Sequence, residues 1–68
     1  MNKPVYCEFK SHGHYLIKIM YRGKEYKTTT TNMHAIDAYR NGGPLGGITP
    51  IQASNILWNE VKRANNLY

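Results

Sequence analysis

Between Tyr15 and Asn32 the chain alternates side chains through two runs that meet at Tyr21-Arg22-Gly23-Lys24. Tyr15, Ile17, Ile19 and Tyr21 fall on one side of the first run, and Leu16, Lys18, Met20 and Arg22 on the other, the period-two pattern of a half-buried strand. A threonine- and tyrosine-rich strand follows from Lys24 to Thr30. Arg22-Gly23 suits a two-residue hairpin loop, because Gly23 can take the positive φ that such turns require. That loop predicts a register: Tyr21 opposite Lys24, Ile19 opposite Tyr26, Lys18 opposite Lys27 and Ile17 opposite Thr28. The face with Tyr15, Ile17, Ile19, Tyr21, Tyr26 and Thr28 then suits a core, and the other carries Leu16, Lys18, Met20, Glu25, Lys27 and Thr29. Facing lysines are unfavourable by roughly 0.2 to 1 kcal/mol unless solvent or an anion separates them.

Upstream, Val5, Cys7 and Phe9 alternate with Tyr6, Glu8 and Lys10, which predicts a first strand beginning after Pro4, with Ser11-His12-Gly13-His14 as the connecting turn. An even-numbered loop would put Tyr6, Glu8 and Lys10 on the core face. We therefore expect an odd loop, or a bulge at Gly13, that aligns Val5, Cys7 and Phe9 with Ile17 and Ile19.

Thr28-Thr29-Thr30-Thr31 leads to Asn32, a good N-cap, and to a short helix over Met33–Arg40 with Ala35, Ile36 and Tyr39 on one stripe. The threonine run invites a phosphate-binding role, but β-branched residues entering a cap account for it. Asn41-Gly42 stops the helix, and a glycine-dense connection runs to Ile48. Thr49-Pro50 opens a second helix in the preferred arrangement of N-cap and first-turn proline. From Ile51 to about Asn66, Ala53, Ile56, Leu57, Val61, Ala64 and Leu67 recur at helical spacing, with Gln52, Asn55, Asn59, Lys62, Arg63 and Asn66 on the wet side. Trp58 lies at the margin of that stripe as a core or interface anchor. The predicted fold is α+β: one domain over residues 1–68, a three-stranded antiparallel sheet (β-β-β) followed by a short and a longer helix packed on one face.

A chain of 68 residues buries only roughly 60% of its unfolded surface, so its core is marginal and dimerisation is one reinforcement. One cysteine, Cys7, forbids an internal disulfide; with no apolar leader-like run at Met1–Lys10, the expected location is the cytoplasm. No segment approaches the ~20 apolar residues of a membrane span, so no membrane partner is expected. The formal net charge is +5. Residues 1–30 hold Lys3, Lys10, Lys18, Arg22, Lys24 and Lys27 against Glu8 and Glu25, whereas the rest is nearly balanced. Positive charge travels with the sheet, as on a phosphate-facing surface.

The carboxylates are scattered, and nothing suggests a Ser/His/Asp arrangement, so no enzyme is expected. Cys7, His12 and His14 match no usual zinc spacing, and neither metal nor cofactor is expected. His34, in the first turn of a helix, reads as solvent-exposed. The loop Gly42-Gly43-Pro44-Leu45-Gly46-Gly47 superficially resembles a phosphate cradle but lacks the Lys-Ser/Thr ending of a P-loop and does not follow a strand. Its Leu45, with Ile48, is instead an exposed apolar candidate for partner contact.

The run Tyr15-Leu16-Ile17-Lys18-Ile19-Met20-Tyr21-Arg22-Gly23-Lys24-Glu25-Tyr26-Lys27, then threonines and a short helix with Ala35, Ile36 and Ala38, resembles the arm-type DNA-binding domain at the amino terminus of phage and transposon integrases. The resemblance covers residues 5–40. It implies a sheet that lays its exposed face in the DNA major groove, with Lys18, Met20, Arg22, Lys24 and Lys27 on the DNA side. The glycine-rich loop and second helix have no counterpart there.

Two functional expectations follow. The first is a non-enzymatic nucleic-acid-binding module, on DNA rather than RNA, of the kind a mobile element would carry, using Lys18, Met20, Arg22, Lys24 and Lys27. The alternative is a protein-interaction module or small homodimer that uses Leu45, Ile48 and Trp58 in the glycine-rich loop and second helix, or an open sheet edge.

Overall fold

The computed structural model describes residues 4–42 and 47–67. Three antiparallel strands, β1 (Tyr6–Ser11), β2 (His14–Tyr21) and β3 (Lys24–Thr30), lie in the order β1-β2-β3, and two helices follow, α1 (Met33–Asn41) and α2 (Pro50–Ala64). This is the α+β architecture expected. The β2–β3 register also agrees, with Lys18 opposite Lys27 and Tyr21 opposite Lys24. It is set by Arg22 and Gly23, whose φ values of 54° and 78° are both left-handed, as a primed hairpin turn demands.

The β1–β2 junction reaches the expected alignment by another route. Cys7 pairs with Ile17 and Phe9 with Tyr15, but Ser11 pairs with His14 across a tight two-residue turn in which Gly13 takes φ 80°. The irregularity lies between Phe9 and Ser11, so Lys10 is the extra residue rather than Gly13. A straight ladder from this turn would pair Lys10 with Tyr15 on the helix side. The bulge releases a charged side chain from that side and restores the alternation.

One cluster joins Val5, Ile17 and Ile19 to Ala35, Ile36 and Ala38 of α1 and to Ala53, Leu57 and Val61 of α2. Both helices thus cover the face of the sheet that carries Ile17 and Ile19. Asn32 caps α1 by accepting from the Ala35 N–H at 3.1 Å. Thr49 and Gln52 form a reciprocal capping box on α2, with Pro50 at the start. At the other end Asn66 takes φ 57°, the Leu67 N–H donates to the Lys62 carbonyl at 2.8 Å, and the Asn66 N–H donates to the Arg63 carbonyl at 3.2 Å. This left-handed cap ends α2 at Ala64, two residues before the expected boundary.

Three expectations about burial change. Ala64 is exposed, and Leu67 lies beyond the helix. Ser54 is buried instead, its hydroxyl satisfied by donating to the Ile51 carbonyl at 2.9 Å. Phe9 shares the register of the covered face yet is 60% exposed, its ring edge-to-face with Tyr15 at a corner of the sheet.

The threonine run proves structural at Thr30, which is 3% exposed. Its hydroxyl donates to the Glu60 carboxylate (2.9 and 3.0 Å to the two oxygens) and accepts from the Asn32 N–H at 3.1 Å. One side chain joins the end of β3 to α2 and to the cap of α1.

Candidate nucleic-acid interface

Neither helix covers the second face of the sheet. The pairing lays Tyr6, Lys18 and Lys27 side by side across all three strands, flanked by Glu8, Leu16 and Thr29 on one side and by Met20 and Glu25 on the other. Met20 is 58% and Tyr6 52% exposed, so apolar surface stands in solvent beside the two lysines. Lys18 and Lys27 do not simply repel. The Lys18 ammonium lies over the Tyr6 ring, 5.0 Å from its centroid, which draws it toward β1 and away from Lys27. Such an arrangement contributes about 0.5 to 1 kcal/mol at an exposed site, comparable to the cost of the facing pair.

The face is not uniformly basic. Glu8 forms an ion pair with Lys10 at 2.8 Å and accepts a hydrogen bond from the Tyr6 hydroxyl at 3.0 Å. The Lys10 ammonium, followed by the Tyr6 hydroxyl, holds the Glu8 carboxyl below the usual range, and Glu8 in turn raises both partners. Lys10 is therefore spent on Glu8. Neither Lys18 nor Lys27 forms an ion pair among the described residues. Lys18 nevertheless helps to lower the Glu8 carboxyl, and Glu25, opposite Met20, shares the face.

The structure divides the five DNA-side residues named from the sequence. Lys18, Met20 and Lys27 share the uncovered face. Lys24 pairs with Tyr21 and lies on the helix side, its ammonium 5.5 Å from the centroid of Tyr26, a ring packed against the core. Arg22, in the turn, places its guanidinium carbon 5.2 Å from the Tyr21 centroid on that same side. Period-two alternation already assigns Lys24 to the face of Tyr26. Strand parity puts Arg22 on the side of Lys18 and Met20; it lies over Tyr21 instead, because in the turn, with φ 54°, it no longer follows the parity of either strand.

Lys62 joins them. It stands one helical turn beyond Trp58 on α2 and lies 5.1 Å from the centroid of Tyr21. It is half-buried rather than on the wet side of the helix, its stem lying along the aromatic rings. Tyr21 itself meets Tyr26 and Trp58 edge to face, at 6.4 and 6.5 Å between centroids.

Of the partner-contact residues, Leu45 lies outside the described residues. Ile48 and Trp58 are half-buried and packed on the chain's own core, so Ile48 is not the exposed apolar candidate expected. Exposed apolar surface lies instead at Phe9, Tyr6, Met20 and Ile51. Cys7, His12 and His14 are not brought together: Cys7 packs against the core, and the His14 ring stands 3.4 Å from both the Ser11 hydroxyl and the His12 carbonyl. Burial pushes the Cys7 thiol up, with Arg40 opposing. Among the described residues no group of three His, Cys, Asp or Glu could hold a metal ion, and no helix is long and apolar enough to cross a membrane.

Comparison with protein-family models, curated proteins and solved structures finds no match to this chain.

Proposed function

We propose that this protein is a non-enzymatic nucleic-acid-binding module that applies the uncovered face of its sheet to DNA. One observation carries the proposal: Lys18 and Lys27 stand opposite each other on a face that neither helix covers, unpaired with any carboxylate among the described residues. Exposed Met20 and Tyr6 beside them supply apolar surface of the kind that meets sugars and base edges. A sheet with helices on one side only also suits the groove-laid arrangement implied by the resemblance to integrase arm domains, and with it an origin in a mobile element.

The test is Lys18→Glu combined with Lys27→Glu, followed by fluorescence anisotropy on a labelled mixed-sequence duplex at low salt. Binding should fall at least about tenfold, and the log-log salt slope should flatten by about 0.9 for each phosphate no longer neutralised. A native-like amide spectrum of the variant would show that the fold survives. Unchanged affinity would contradict this placement of the interface.

A second reading, a protein-interaction module or small homodimer, draws on Phe9, 60% exposed on the edge strand β1, rather than on Ile48 and Trp58. It predicts salt-insensitive self-association in light scattering, and a monomer at high concentration counts against the homodimer.

A further inference from the structure

We infer that the end of the β2–β3 hairpin and the last turns of α2 form a second phosphate site, in which Arg22, Lys24 and Lys62 take a backbone phosphodiester of the bound nucleic acid. The inference rests on the nucleic-acid reading above and extends it around the hairpin to the opposite side of the sheet.

Tyr21 is the centre of this site. Its ring carries the Arg22 guanidinium at 5.2 Å and the Lys62 ammonium at 5.1 Å, and its edge-to-face neighbour Tyr26 carries Lys24 at 5.5 Å. Three cations from a turn, a strand and a helix are thus gathered on two adjoining rings. The rings orient the cations but do not neutralise them.

None of the three forms an ion pair with a carboxylate among the described residues. The one ion pair there is Lys10–Glu8, on the other face. Glu25 belongs to the uncovered face opposite Met20, and Glu60 is bonded to the Thr30 hydroxyl at the far end of β3.

The ligand is a phosphate rather than a base. Cations already lie over Tyr21 and Tyr26, so these rings do not offer the open faces on which bases stack. A planar guanidinium and two ammonium groups, each resting on one of two adjoining rings, instead offer donors of the kind that phosphodiester oxygens accept from. Arg22 and Lys24 flank Gly23 at the turn that joins the two lysine-bearing strands. A backbone lying on Lys18 and Lys27 can therefore continue over the hairpin end to Arg22, Lys24 and Lys62.

The test is Lys62→Gln, with Lys62→Arg as the charge-preserving control, because Lys62 lies on α2 and is remote in sequence from the hairpin. The log-log salt dependence of duplex binding is measured for both variants and the parent. Isotope-labelled parent protein is also titrated with the duplex and, separately, with inorganic phosphate. A slope flattened by about 0.9 in Lys62→Gln and restored in Lys62→Arg supports the site, together with duplex-induced shifts at Arg22, Lys24 and Lys62. If the duplex moves only Lys18 and Lys27 and Lys62→Gln keeps the parent slope, the second site is refuted while the sheet-face reading stands. Shifts at Arg22 and Lys62 with inorganic phosphate but none with duplex refute the nucleic-acid source for both, as does the absence of any shift.

Discussion

Arg22 holds a left-handed backbone, φ 54°, in which an L-residue with a side chain costs roughly 1 to 2 kcal/mol relative to ordinary conformations. Asparagine tolerates that region far better, so Arg22→Asn should raise the stability of the domain by about 0.5 to 1 kcal/mol in urea denaturation. If Arg22 binds phosphate, the same variant should weaken duplex binding. Stabilisation with undiminished affinity would leave the arginine without a binding role at this turn. The need for Gly23 at positive φ is plain in the sequence, whereas the placement of Arg22 against Tyr21 depends on the fold. Lys62 was hidden for a related reason. Polar residues on a helix read as wet, and only the position of Tyr21 shows that its stem runs along an aromatic ring.

At the scale of elements, the β3 to α1 junction depends on Thr30. Its hydroxyl donates to Glu60 of α2 and accepts from the Asn32 N–H, so one oxygen holds three elements in register. Thr30→Val preserves shape but strands a half-buried carboxylate and a backbone N–H, which should cost about 1 to 3 kcal/mol. A urea midpoint equal to that of the parent would contradict this role for the threonine run. The strands, the helix starts and the β2–β3 register were legible because alternation, the Asn32 cap and the Thr49-Pro50 pair are local signals. The bulge at Lys10 and the cap at Asn66 were not. Each depends on which of several nearby residues bends most cheaply, and alternation shows only that a bend is needed.

Taken whole, the chain is a two-layer slab with Cα extents of 30 × 29 × 16 Å, with helices over one face of the sheet and solvent over the other. The charge asymmetry in the sequence pointed to the sheet, but the fold distributes it unevenly. Lys10 is matched by Glu8, Lys18 and Lys27 are left on the uncovered face, and Arg22, Lys24 and Lys62 lie over the adjoining rings of Tyr21 and Tyr26. Net charge alone could not separate these groups, because the separation follows strand parity and helix placement. The central question is whether the uncovered face meets nucleic acid. The most direct measurement is a titration of isotope-labelled protein with a short mixed-sequence DNA duplex at low and then physiological salt, following backbone amide shifts. Salt-sensitive shifts centred on Lys18, Met20 and Lys27 are the predicted result; no shifts on that face even at low salt would contradict it.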